Sequence, residues 1–263
     1  MEHTTLSRLS VNVNAIAYLR NRRDLPWPDL LRFARIAMDA GARGITVHPR
    51  PDERHIRRSD VRALAALFRD AYPDRDLSLE GYPDDDFLAL VEEVRPRQVL
   101  YVPDAPEQST SDHGWDLDRA ATQVEEIVRQ TQSWDVLVSL FVDPEPRMAE
   151  RAKELGADRI EIFTGPYGAC YADAPAAAEE LNRVVKCAEA GRAVGLGVNA
   201  GHDLTLENLG ALIARAPFIR EVSIGHAFMS TALEVGFAAA VRRFRVQLGE
   251  VDEPTDERVC PTT

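Results

Sequence analysis

His48, Arg50 and His55 crowd the segment Gly44-Ile-Thr-Val-His-Pro-Arg-Pro-Asp-Glu-Arg-His55, directly behind a short apolar run. Histidine titrates near neutral pH and can take or give a proton. An arginine fork binds phosphate or carboxylate. The combination suits acid/base work on an anionic substrate. A solvated basic turn explains this stretch alone equally well, because charged loops are common. The rest of the chain shifts the balance.

Ile45 and Val47 are strand formers and Pro49 cannot continue a central strand. His48 therefore sits where a strand stops, with Arg50 and His55 on the following loop. The same arrangement recurs along the chain. Residues 9–14 alternate apolar and polar, and residues 77–81 end in Glu80-Gly81. Residues 98–103 run into a polar loop, 104–114, that carries Thr110, Asp112 and His113. Further strands are predicted over 137–142, 159–165, 195–202 and 221–226. Helical patterns fall between them: one opened by Pro28 and Asp29, one N-capped by Ser59, then 87–94, 117–130, 148–155, 175–190, 206–214 and 228–248. Residues 20–24 and 166–169 read as loops. Eight strand–helix alternations predict an α/β fold with a parallel sheet, closed as a TIM (β/α)8 barrel. An open doubly wound sheet is the alternative, but no Gly-x-Gly-x-x-Gly opens a helix after the first strand. The length, 263 residues, matches the roughly 250 of such barrels.

In these barrels the C-terminal strand ends converge on one rim. Read together, they bring Asn12, Asn14, His48, Arg50, Glu80, Thr110, Glu161, Thr164, Asn199, His202, Gly225 and His226 to one place. Histidines with glutamates support either acid/base catalysis or metal binding. A barrel metal site commonly shows His-x-His on its first strand, which is absent, and the arginines oppose a bare dication. Glu161 is either part of that chemistry or an interior carboxylate ion-paired to an arginine. Gly225 before the last helix suits a phosphate at the helix amides. His3 and His113 read as surface residues.

A formal charge of −12 argues against a general nucleic-acid binder. Local clusters, Arg20, Arg22 and Arg23 and then Arg50, Arg54, Arg57 and Arg58, are positioned to hold small phosphates. No apolar run approaches the roughly 20 residues needed to cross a membrane, and no cationic-then-apolar leader is visible, so a soluble, cytoplasmic protein is expected. Cys170, Cys187 and Cys260 form no disulfide or zinc pattern. Residues 1–249 are expected to form one domain and 250–263 a disordered acidic tail.

The segments Val11-Asn-Val-Asn-Ala-Ile-Ala-Tyr-Leu-Arg-Asn-Arg-Arg23, 41–56, Val198-Asn-Ala-Gly-His202 and Ile224-Gly-His226 together resemble the pyridoxine 5'-phosphate synthase family. The resemblance implies a barrel with additional helices, assembled as a homo-octamer and working without metal or organic cofactor. It implies condensation of 1-deoxy-D-xylulose 5-phosphate with 3-amino-2-oxopropyl phosphate, small phosphorylated substrates both. It also implies that His48 and Glu80 accept protons, that His202 donates one and that Glu161 stabilises a charged intermediate. Asn12 and Arg23 would hold the amino-ketone phosphate. Asn14, Arg50, His55 and Thr110 would hold the deoxyxylulose phosphate, and Gly225 and His226 would complete a phosphate pocket.

The chain departs from the family pattern in three places. Asn14-Ala15 stands where the family commonly has Asp-His, Asp203 stands where it has glycine, and the surroundings of Glu80 match only through the glutamate. Asp203 is thereby placed beside a proposed phosphate. Two further readings follow: a metal-dependent barrel hydrolase using His48, His202, His226 and Glu80, and a catalytically weakened sugar-phosphate binding protein, suggested by Ala15 and Asp203.

Overall fold

The computed structural model describes residues 7–105, 108 and 110–251. His3, Cys260 and the tail from 252 onward lie outside them. The strands are β1 (Arg8–Asn12), β2 (Gly44–Val47), β3 (Asp76–Gly81), β4 (Gln98–Tyr101), β5 (Leu137–Val142), β6 (Arg159–Phe163), β7 (Gly197–Gly201) and β8 (Glu221–Ile224). All pair in parallel in sequence order, and β1 closes on β8 through Arg8↔Glu221 to Val11↔Ile224. The protein is a TIM (β/α)8 barrel with additional helices.

The helices are α1 (Asn14–Arg20), α2 (Leu30–Asp39), α3 (Arg58–Ala71), α4 (Asp85–Val94), α5 (Ala121–Gln132), α6 (Pro146–Glu154), α7 (Gly165–Ala169), α8 (Ala174–Ala193), α9 (Leu209–Arg215), α10 (His226–Val235) and α11 (Phe237–Gln247). Their apolar stripes bury against the barrel. On α2, for example, Leu30, Ala34, Ala37 and Met38 face inward, and the Asp29 carboxylate caps the helix by accepting from the Leu31 and Arg32 amides. Among the described residues no helix is long and apolar enough to cross a membrane.

Local chemistry explains where the elements depart from the sequence pattern. Residues 13–14 do not extend the first strand. The Asn12 side chain accepts from the Asn14 amide at 3.0 Å and turns the chain into α1, which is too short to display a period. Helix α3 starts one residue before Ser59, with the Asp60 carboxylate accepting from the Arg57 amide. Helix α5 starts at 121 rather than 117, because the Asp116 carboxylate accepts from the Arg119 amide and holds a turn. Residues 166–169 lie in α7 rather than in a loop. The long helix expected over 228–248 is two helices, broken at Gly236, whose φ of +87° is glycine territory.

The lower half of the barrel interior is polar. Gln98 donates to Glu221 at 2.7 Å and to Ser78 at 3.2 Å, while Arg159 donates to Gln98 at 2.8 Å. Asn199, placed at a strand end by the sequence pattern, instead sits inside β7 and donates to the same Gln98 oxygen.

Candidate active site

The C-terminal strand ends surround a cavity of about 240 Å³. Every residue given a catalytic or substrate-holding role from the sequence lines it except Arg23, which is exposed on the segment after α1; of the other strand-end residues, Thr164 and Asn199 do not line it. Arg20 is spent on structure: its guanidinium clamps Asp60 at 2.6 Å and 2.9 Å, and Asn21 beside it donates to the carbonyls of residues 53–55. Those bonds fasten the end of α1 to the loop that presents His55. Arg54 and Arg58 are likewise paired, with Asp52 and with Glu53 and Asp86. Of the basic clusters, only Arg50 faces the cavity.

His48 follows β2 with its backbone amide held by the Asn14 side-chain oxygen at 2.9 Å. Its Nδ1 lies 3.1 Å from Glu80 Oε1 at the end of β3. Burial alone would push the Glu80 carboxyl up. The charge and hydrogen bond of His48, the charge of His202 and a bond from the Ser111 hydroxyl prevail and hold it at about 2. Glu161 on β6 is the opposite case. Burial first, then repulsion from Glu80 and Glu221, raises its carboxyl well above the ordinary range, which favours the neutral acid over the carboxylate. No arginine pairs with it among the described residues. A Cβ at residue 201 would fall on Glu161 Oε1, so Gly201 is what leaves room for the acid.

His202 and Asp203 both adopt left-handed backbone, φ +82° and +57°, uncommon for residues with a Cβ. Thr164 donates to the His202 carbonyl and Asn208 to the Asp203 carbonyl, which holds the turn. His202 Nε2 lies 2.8 Å from Thr110 Oγ1 and its Nδ1 3.2 Å from Asp203 Oδ2. Burial opposes protonation of this imidazole. The Asp203 bond and charge, reinforced by Glu80 and Asp104, leave its pKa raised. His55 is driven down to about 4, chiefly by burial and then by the charges of His48 and Arg50. The Ile56 amide donates to His55 Nδ1 at 2.9 Å, which fixes the tautomer with its proton on Nε2.

After β8, Gly225 lines the cavity and precedes α10, whose first residue is His226. A Cβ at 225 would crowd the Asn12 side chain at 3.3 Å. The start of α10, Asn12 and Arg50 all line this one cavity and give it polar groups suited to an anionic substrate. Among the described residues, no three His, Cys, Asp or Glu side chains are grouped to hold a metal ion. The four ligands of the hydrolase reading therefore do not form a metal set.

A family model described as "Pyridoxal phosphate biosynthesis protein PdxJ" matches residues 9–250. The chain belongs to the PdxJ family. It is 54% identical to the pyridoxine 5'-phosphate synthase of Allorhizobium ampelinum over 93% of this chain and 99% of that one. Its identity to the protein of the same name from Brucella abortus is 53%, over 90% and 97%. Solved structures show the shared barrel at low identity. The tryptophan synthase alpha chain of Legionella pneumophila matches with TM-score 0.64 and 15% identity, over 95% of this chain and 94% of that one. Thiamine phosphate pyrophosphorylase of Pyrococcus furiosus matches with TM-score 0.59 and 14% identity, over 94% and 97%.

Three features of this PdxJ family member's site escaped the sequence pattern. Ser111, Phe141 and Ser223 also line the cavity. Ser111 lies on the same polar loop as Thr110, one position further along. Phe141 sits on β5 among apolar neighbours, and with Leu100, Val102 and Phe163 forms a small separate apolar cluster. Nothing in its local sequence distinguishes it from a core residue.

Proposed function

We propose that this protein is the pyridoxine 5'-phosphate synthase its family membership indicates, condensing 1-deoxy-D-xylulose 5-phosphate with 3-amino-2-oxopropyl phosphate and releasing phosphate and water. The observation that carries the assignment of roles is the His48–Glu80 contact in one cavity with Glu161, whose carboxyl is pushed up, and His202, whose pKa is raised. An amine must attack a ketone, water must leave, and carbons beside carbonyls must lose protons. Such steps need several acids and bases held at one rim. Glu80, kept ionised, holds the Nδ1 proton of His48 and leaves Nε2 to accept a substrate proton, as a carboxylate does for histidine in a triad. Glu80 thus acts through His48. Glu161 donates a hydrogen bond to charge developing on oxygen, and His202 delivers a proton to a leaving group.

Arg50, Thr110, Asn14 and the Nε2–H of His55 hold the deoxyxylulose phosphate. Asn12, Gly225 and His226 hold the amino-ketone phosphate at the start of α10, with Arg23 assigned to the same phosphate from its exposed segment. Asp203 serves the site through His202. The same reading includes a homo-octamer in the cytoplasm, working without a bound cofactor. The exposed Tyr18, Leu19, Leu25 and Trp27 beside Arg23 give an apolar patch suited to a second copy. Light scattering on the purified protein checks the subunit number.

The decisive experiment mixes chelator-treated protein with both substrates and follows phosphate and pyridoxine 5'-phosphate together. Their joint appearance supports the synthase. Binding of the deoxyxylulose phosphate without product would favour the weakened binding protein, and activity only on metal addition would favour the hydrolase.

A further inference from the structure

Arg50 and Asp104 pair at 2.6 Å with side chains only 3% and 1% exposed. The pair joins the loop after β2 to the loop after β4. Burying two charges is costly unless it serves geometry. The geometry is one-sided. Asp104 Oδ2 receives both Arg50 and the Ser111 hydroxyl, the latter at 2.8 Å, while Oδ1 is buried without a partner. A purely structural arginine–carboxylate pair is frequently bidentate. Here one carboxylate oxygen holds Nη2, while Nη1 reaches the Ala105 carbonyl at 3.5 Å. Arg50 lines both the strand-end cavity and a small void of about 30 Å³ that Asp104, His48 and Arg58 also line. The Ser111 hydroxyl also stands 3.1 Å from Glu80 Oε1. It has one proton and two carboxylates to serve.

We propose that Asp104 and Ser111 are positioning residues: Asp104 aims the Arg50 guanidinium at the substrate phosphate, and the Ser111 hydroxyl, held between Asp104 and Glu80, steadies the carboxylate that orients His48. Neither contact with the reacting atoms nor a change of fold is required. Glu80 is faced by His48 from the loop after β2, by Glu161 from β6, by His202 from beyond β7 and by Ser111 with Asp104 behind it; His55 stands beyond His48. Of these, Ser111 is the one donor that does not titrate, so its loss changes hydrogen bonding without removing a charge.

The inference rests on the synthase reading, and the test separates the two. Asp104→Asn keeps the shape and removes the charge, so the KM for deoxyxylulose phosphate rises about tenfold with kcat little changed. Ser111→Ala withdraws a donor from ionised Glu80, so the acid limb of the kcat–pH profile moves to higher pH, and Ser111→Thr restores it. Calorimetric binding of deoxyxylulose phosphate alone weakens in Asp104→Asn and is unchanged in Ser111→Ala. Wild-type kinetics and binding in both variants would overturn the proposal. So would equal losses in kcat and KM together with a lowered melting temperature and no rescue by threonine, which is the signature of loop seating alone. If the wild type forms no product, the synthase reading fails first, and the binding measurement still decides whether Asp104 positions Arg50.

Discussion

His48 Nδ1 lies 3.1 Å from Glu80 Oε1, and the carboxyl of Glu80 is held at about 2 despite its burial. An ionised carboxylate on one ring nitrogen leaves the other free to work as a base. Glu80→Gln keeps the volume and loses the charge, and His48→Ala removes the ring. Each is expected to lower kcat by about 10²–10⁴-fold while circular dichroism reports an intact barrel. Near-normal turnover in either would remove that residue from the proton-transfer set.

Gly201 matters because of what it leaves empty. The Cβ of Gly201→Ala would fall on Glu161 Oε1, so the acid must turn away. The expected result is a loss of about 1–3 kcal/mol in stability from overpacking, with a larger proportional loss in kcat. Denaturant melts and steady-state rates measured on one preparation separate the two effects.

His55 links pH to stability. Its folded pKa of about 4 lies below its unfolded value of 6.5, so the unfolded chain takes up the proton first as pH falls. The stability that the neutral ring supplies is complete above 6.5 and is lost down to about 4. Melting temperature is expected to fall through that interval. His55→Asn offers an acceptor to the Ile56 amide without a titrating ring and should flatten the curve there.

Asp203 raises the pKa of His202 through a 3.2 Å contact. Asp203→Gly removes that support and relieves a left-handed residue with a side chain. If His202 delivers a proton, the basic limb of the kcat–pH profile should move to lower pH. Loss of a carboxylate beside the phosphate should also lower the KM for the amino-ketone substrate. A profile unchanged on the basic side would detach His202 from that role.

The barrel was legible because each strand is short and apolar and ends in a chemically distinct residue: His48 before Pro49, Glu80 before Gly81, His202 after Gly201. Period and punctuation carry that information locally. What was not legible depended on partners distant in sequence. Arg20 and Arg50 look alike as members of basic clusters and each pairs with a distant aspartate, yet only Arg50 of the two lines the cavity. Glu161 offered two readings; its burial, with Glu80 and Glu221 as neighbours and no arginine pairing with it among the described residues, pushes its carboxyl up and favours the neutral form. Helix α1 hid because its turn is made by one side chain, Asn12, and not by any repeating pattern.

The β1–β8 ladder has one more consequence. A sheet that closes on itself offers no unpaired strand to a neighbour. Copies of this chain therefore cannot join by extending one sheet across two molecules. Any assembly must be built from helix faces and loops, where single substitutions at the contact can dissolve the complex while leaving each barrel whole.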